Sequence, residues 1–275
     1  MKEKGNKKKA LRKNIIREIS RTKSRFISIF AIIGISVGFF TGVKSACPSM
    51  LETAQRYFDD NNLMDFSIIS TIGFDDNDID AIKKLDFVEA VMPSYMADMI
   101  VSEGDVDNVA RIIALSDKNS NINTPMLKEG TLPQNDGECL IESYYAKLSG
   151  TKIGDTVKFT SQDNSMLKNN EYKIVGIADS PLYVTYTRGN TNIGNGSISF
   201  YIIVRPEEFI PERYTKIFIK TKASQSDISA FSDEYKNMIE DEFDILEALS
   251  FDCIDRFNSE TLYDAKKKFQ RAKRN

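Results

Sequence analysis

Hydrophobic and polar positions follow different rules in different parts of this chain. From Phe26 to Val43, eighteen consecutive residues are apolar, Gly, Ser or Thr, and the nearest charges are Arg25 and Lys44. At 1.5 Å rise per residue such a helix covers about 27 Å, close to the ~30 Å hydrocarbon layer of a bilayer. A soluble core helix normally turns a polar face to water. A signal peptide has a shorter apolar region, about 7–15 residues, behind a shorter basic leader. The segment KSAC (residues 44–47) places small residues before Cys47, as a lipoprotein cleavage site does, but Lys44 stands where an aliphatic residue belongs. The pattern predicts an uncleaved transmembrane helix over residues 25–46.

Ahead of it, in residues 1–24, Leu11, Ile15 and Ile19 recur every four residues beside Ile16, while Arg12, Lys13, Arg17 and Arg21 are expected on other faces. This is a basic amphipathic helix, suited to anionic inner-leaflet lipid or to a cytoplasmic partner. A plain positive flank would look similar. Within the span Gly34, Gly38 and Gly42 fall four apart, two overlapping GxxxG units. Small residues at that spacing let a second helix approach closely, where lipid offers no hydrophobic drive to associate.

Beyond the span the periods shorten. A helix continues through Pro48 to Tyr57, and a strand follows over residues 63–71. A helix over 75–85 begins in an Asp-rich cap and turns Ile79, Ile82 and Leu85 inward. Strands follow over 86–101 and 109–116. A matching strand-helix-strand is expected late in the chain: a strand over 216–222, a helix capped by Ser226 and carrying Ile228, Phe231, Tyr235 and Met238, then a strand over 244–251. Between them lie turn residues and short strands at 137–143, 154–160, 171–178 and 199–206. In the last of these both faces are apolar, which marks a central strand ending at Pro206. The expected fold class is α+β: one N-terminal transmembrane helix, then a mixed α/β domain (47–120 and 214–255) split by a β-rich insertion (121–213), with a basic helix or tail over 256–275.

Charge supplies an orientation. Residues 1–25 hold eleven Lys or Arg against Glu3 and Glu18, a net +9, and the remainder holds 26 cations and 38 acids, a net −12. Basic flanks stay in the cytoplasm, so the N-terminus is expected inside and the bulk of the chain outside. The absence of His removes Ser-His-Asp and Cys-His catalysis and HExxH zinc sites. Cys47, Cys139 and Cys253 are odd in number and widely spaced, neither a disulfide framework nor a zinc cluster. No metal and no cofactor is expected.

The run DDNDID (75–80) fails as a calcium loop, because Ala81 stands where glycine is needed and Phe87 where a bidentate Glu belongs. A helix N-terminus explains the acids. KLSGTKIGD (147–155) shares only three letters with an ABC ATPase signature, and no GxxxxGK[ST] loop exists, so ATP is not bound in the P-loop manner. TRGNTNIGNGS (187–197) is a binding loop or a mobile surface turn. The basic end DAKKKFQRAKRN reads as a solvated helix end and not as a nucleic-acid signal.

In order and texture the stretches NIIREISRTKSRFISIFAIIGISVGFFTGVKSACPSM, MDFSIISTIGF, KIGDTVKF and EYKIVGIADSPLY resemble the start of an FtsX-like/MacB-like ABC transporter permease of Gram-positive type. The resemblance implies an N-terminal cytoplasmic helix, a first span and an extracellular porter-like domain with a β-rich part. It also implies a cytoplasmic ATPase partner and further permease helices in the membrane lipid. Residue 275 falls before any second apolar run, so the resemblance implies the N-terminal part of a longer permease, or one without its membrane core. A single-pass anchored binding or scaffold module uses the same external domain without an ATPase. An enzyme acting through carboxylates on cell-wall sugars finds no nominated pair. No residue pattern names a transported or sensed substrate.

Overall fold

The computed structural model describes residues 3–103, 106–116, 121–160, 166–225 and 228–272. The chain divides into two compact units, Met1–Ala54 and Gln55–Asn275.

In the first unit, helix α1 (Glu3–Arg21) is followed after one residue by α2 (Lys23–Asp60). The Thr22 hydroxyl donates to Glu18 O at 2.8 Å, and the Phe26 N–H donates to Thr22 O at 3.1 Å, so backbone bonding continues through the joint. Helix α2 carries the uncharged run and continues past Pro48, as the apolar pattern predicts.

The second unit begins with the last turns of α2. Asn62, at φ +46°, ends that helix, and the Leu63 N–H caps Phe58 O at 2.9 Å. Two sheets follow. The first is antiparallel, in the order β1–β10–β2, built from β1 (Phe66–Phe74), β2 (Val88–Ser94) and β10 (Tyr214–Thr221). Helix α3 (Asp76–Lys83) covers one face, and its Asp75 and Asp78 close a reciprocal capping box, so the acidic run is a helix start. Ile79 and Ile82 of α3 pack with Val88, Val91, Ile217 and Ile219, and with Leu246 of α5 (Asp233–Ala272). Burying each such side chain contributes about 1.5–3 kcal/mol relative to leaving it exposed. The other face packs Met92 and Phe218 on Ile122.

The second sheet is mixed and runs β3–β4–β9–β6–β8–β5, with β7 also on β8. Its strands are β3 (Met96–Glu103), β4 (Val106–Ala114), β5 (Met126–Gly130), β6 (Glu138–Glu142), β7 (Thr156–Lys158), β8 (Glu171–Asp179) and β9 (Phe200–Val204). The β4–β9 and β6–β8 pairs are parallel. Strand β9 is central and buried throughout: Phe200, Ile202 and Val204 enter one core, and Tyr201 and Ile203 the other. Helix α4 (Ser143–Ser149) follows β6.

Four expectations are corrected. Residues 244–251 belong to α5, because Leu246, Leu249 and Cys253 recur at helical spacing, while Ile245 and Phe251 stay exposed. The second strand-helix-strand is therefore β10 followed by a helix. Helix α5 starts at Asp233, after Ile228 and Phe231, and the expected cap Ser226 lies outside the described residues. The stretch 86–101 breaks at Tyr95 into β2 and β3, which belong to different sheets. Strands β3 and β4, expected with the outer α/β part, pair with the inserted strands, so the sheet changes at Tyr95 and not near residue 120.

Candidate functional site

In the first unit the candidate residues lie on two helix faces. Lys13, Arg17 and Arg21, four apart, run along one line of α1, and all are exposed. Arg12 does not join that line. Four residues before Ile16, it shares the apolar side.

On α2, Gly34, Gly38 and Gly42 form one face, and a Cβ built at any of the three meets nothing within 4 Å. Three serine hydroxyls of the same helix bond back to its own backbone. Ser28 donates to Ser24 O at 2.9 Å, Ser36 to Ile32 O at 2.8 Å and Ser45 to Gly42 O at 3.1 Å. Such back-bonding keeps these hydroxyls satisfied in hydrocarbon. Among the described residues, α2 is the one helix long and apolar enough to cross a membrane.

In the second unit a cavity of about 220 Å³ opens between edge strand β1 and α5, lined by Ile68, Ile72, Ile82, Leu246, Leu249 and Phe257. Its polar end holds Asp78, which pairs with Arg256 of α5 and lies 3.7 Å from Arg213. Burial pushes neighbouring Asp75 upward. The Asp78 N–H and the Arg213 and Arg256 guanidiniums outweigh that and hold Asp75 below the usual carboxylate range. Cys253 lines the same cavity, its thiol pushed up to about 11 by burial and by Asp78. Cys139 is fully buried and pushed up to about 12 by burial alone. All three cysteines are free, and these two sit where a thiolate is disfavoured.

The 187–197 segment is tied to the second sheet at its N-terminal end. Arg188 is buried against Glu142 at the end of β6, and it also donates to Tyr186 O at 2.7 Å. Arg111 of β4 donates to Arg188 O and Asn190 O, each at 3.3 Å, while it grips Asp98 of β3 at 2.7 and 2.8 Å. Just before this segment Val184 and Tyr186 face solvent, with Tyr186 against Tyr144 at a centroid distance of 4.3 Å. No sequence motif announces these pairs, because the partners are far apart in the chain.

A buried carboxylate anchors the inner end of the second sheet. Glu208 accepts from the Gly137 N–H at 3.1 Å, Asn169 Nδ2 at 2.9 Å and the Tyr172 hydroxyl at 3.0 Å. Three donors satisfy it without a metal or a cation, which is a structural arrangement. Among the described residues no group of three His, Cys, Asp or Glu is placed to hold a metal ion.

No family model matches the chain, and no curated protein does. Among solved structures, the chain is similar to the extracellular domain of the noncanonic ABC-type transporter YknZ from Gram-positive bacteria. There the identity is 14% and the TM-score 0.36, over 56% of this chain and 75% of that one. It is also similar to the periplasmic region of MacB from Actinobacillus actinomycetemcomitans, at 13% identity and a TM-score of 0.38, over 66% of this chain and 76% of that one.

Proposed function

We propose that this chain is the N-terminal part of a membrane permease subunit of an FtsX/MacB-type ABC transporter. Its N-terminus lies in the cytoplasm and its second unit outside the cell. A partner ATPase supplies the energy and acts at the line Lys13, Arg17 and Arg21 of α1. Gly34, Gly38 and Gly42 receive a further permease helix, and motion passed outward serves export, sensing or activation. The observation that carries this reading is an eighteen-residue uncharged run behind a net +9 leader, with an uncovered glycine face inside it. The order of sequence segments supports the family.

The test is reconstitution with the full set of permease spans and the ATPase encoded beside them. ATP hydrolysis should rise on assembly, and Lys13→Glu, Arg17→Glu and Arg21→Glu together should remove most of that rise. Hydrolysis that is indifferent both to the permease and to these reversals contradicts the coupling.

A further inference from the structure

The 187–197 segment carries the one Asn-Gly pair of the sequence, Asn195–Gly196. Its far end closes as a small hairpin. Asn190 bridges Ser197, the Thr191 N–H donates to Gly196 O at 3.1 Å, and the Gly196 N–H donates to Ile193 O at 3.1 Å. Gly194 to Ser197 form an exposed tip. Gly196 lies at φ +83°, and the place a Cβ would take is open, with Thr191 O at 3.9 Å. Its nitrogen therefore has no side chain of its own to shield it. Asn195 Oδ1 accepts from the Ser197 N–H and from the Ser197 hydroxyl, each at 3.0 Å. Two donors on one carbonyl oxygen polarise the carbonyl and stabilise negative charge developing on that oxygen.

We propose that Asn195 is a self-modification site: the Gly196 backbone nitrogen displaces the side-chain amide, and water completes its conversion to aspartate and isoaspartate. Hydroxide takes the Gly196 amide proton, and the nitrogen electron pair forms a bond to Asn195 Cγ. The carbonyl π pair moves onto Oδ1, between the two Ser197 donors. As that pair returns, the Cγ–Nδ2 bond breaks, Nδ2 takes a proton from water, and ammonia leaves a five-membered succinimide. Water then adds to one ring carbonyl and cleaves its bond to nitrogen. Cleavage at Cγ gives aspartate, and cleavage at the backbone carbonyl gives isoaspartate. One water is consumed and one ammonia released, with no oxidant or reductant. Either product replaces a neutral amide by a carboxylate, and isoaspartate also lengthens the backbone between the paired residues Asn190 and Ser197. Asn190 and Asn192 are exposed in the same segment, but Thr191 and Ile193 follow them, with branched side chains beside the nitrogen that would attack. The one Asp-Gly pair, Asp136–Gly137, could close the same ring, but its Gly137 N–H donates to buried Glu208 at 3.1 Å. The Gly196 N–H is held across an exposed turn, which opens locally at little cost. The site goes beyond the transport reading and stands or falls separately.

The full chain in detergent micelles is incubated at 37 °C across pH 6–9. Each Asn, and Asp136, is followed by peptide mass spectrometry, and isoaspartate is read by isoaspartyl methyltransferase labelling. Asn195 should convert about tenfold or more ahead of Asn190 and Asn192. Its rate should rise with hydroxide concentration, and isoaspartate should appear together with aspartate. Asp136 should form no isoaspartate over the same time. Ser197→Ala keeps the N–H donor and removes the hydroxyl, and it should slow conversion about tenfold, the effect of losing one hydrogen bond to a charged group. Ser197→Thr, which restores a hydroxyl, should recover most of the rate. Conversion of Asn195 no faster than that of Asn190 and Asn192 overturns the site. So does a rate that Ser197→Ala leaves unchanged.

Discussion

Arg188 and Glu142 form a buried ion pair across 46 residues of sequence, with Arg188 Nε donating to Glu142 Oε2 at 2.7 Å. Each side chain is 7% exposed. The pair ties the start of the 187–197 segment to the end of a core strand, and removing one partner strands the other charge in the interior. Arg188→Ala should cost about 3–5 kcal/mol. Arg188→Met combined with Glu142→Leu should recover most of it. Urea unfolding of the full chain in micelles, followed by far-UV circular dichroism, measures both. A single variant as stable as the parent contradicts the assignment.

Gly176 of β8 is enclosed on two sides. A Cβ there would lie 2.7 Å from Thr131 O, 2.8 Å from Leu140 Cδ2 and 3.0 Å from Glu129 O. Two of those contacts are backbone and cannot turn aside. The neighbouring strands carry irregularities at the same level, between Leu127 and Glu129 and between Cys139 and Leu140. Gly176→Ala should destabilise by about 1–3 kcal/mol, the usual cost of overpacking. An unchanged urea midpoint would show that the strands can part at little cost.

What the sequence made legible follows from local physics. The uncharged run, the Asp75 cap and the two-faced strand at 200–204 each state their environment in consecutive residues. The stretch 244–251 misled because its apolar residues suit either period. Only packing of Leu246 and Leu249 on the sheet, with Ile245 and Phe251 left outside, selects the helix. The break at Tyr95 was illegible for another reason: both halves are good strands, and β2 joins its sheet through β10, more than a hundred residues away, while β3 enters the other sheet through neighbouring β4 and its distant partner β9. The loop-holding arginines belong to the same class. Long-range ion pairs leave no spacing to read.

Glu242 of α5 is buried beside Asp65, with Lys220, Thr221 and Tyr235 around that carboxylate, and among the described residues Glu242 Oε2 has no hydrogen-bond partner. Burial, then the charge of Asp65, raises its pKa. Between the unfolded glutamate value and this raised one, the native protein holds a proton that the unfolded chain has released. Stability from this group is therefore present at low pH and falls as pH rises through that window. Glu242→Gln should flatten the fall and raise stability at pH 7. Urea midpoints from pH 4 to 8 check it, and an unaltered slope contradicts it.

The glycine face makes a positional prediction. Gly38→Ile should weaken association of α2 with partner helices in a membrane two-hybrid or crosslinking assay. Val37→Ile, on a different face, should leave it intact. Equal losses at both positions would make the glycines incidental.

The central claim is that α2 crosses the membrane with the leader inside and the second unit outside. In a background with Cys47, Cys139 and Cys253 replaced by Ser, single cysteines at Ser20 and at Asp60 report the two sides of the uncharged run. A membrane-impermeant maleimide applied to intact cells should label Asp60→Cys and spare Ser20→Cys until the cells are opened. Labelling of Ser20→Cys from outside, or protection of Asp60→Cys in intact cells, contradicts the orientation.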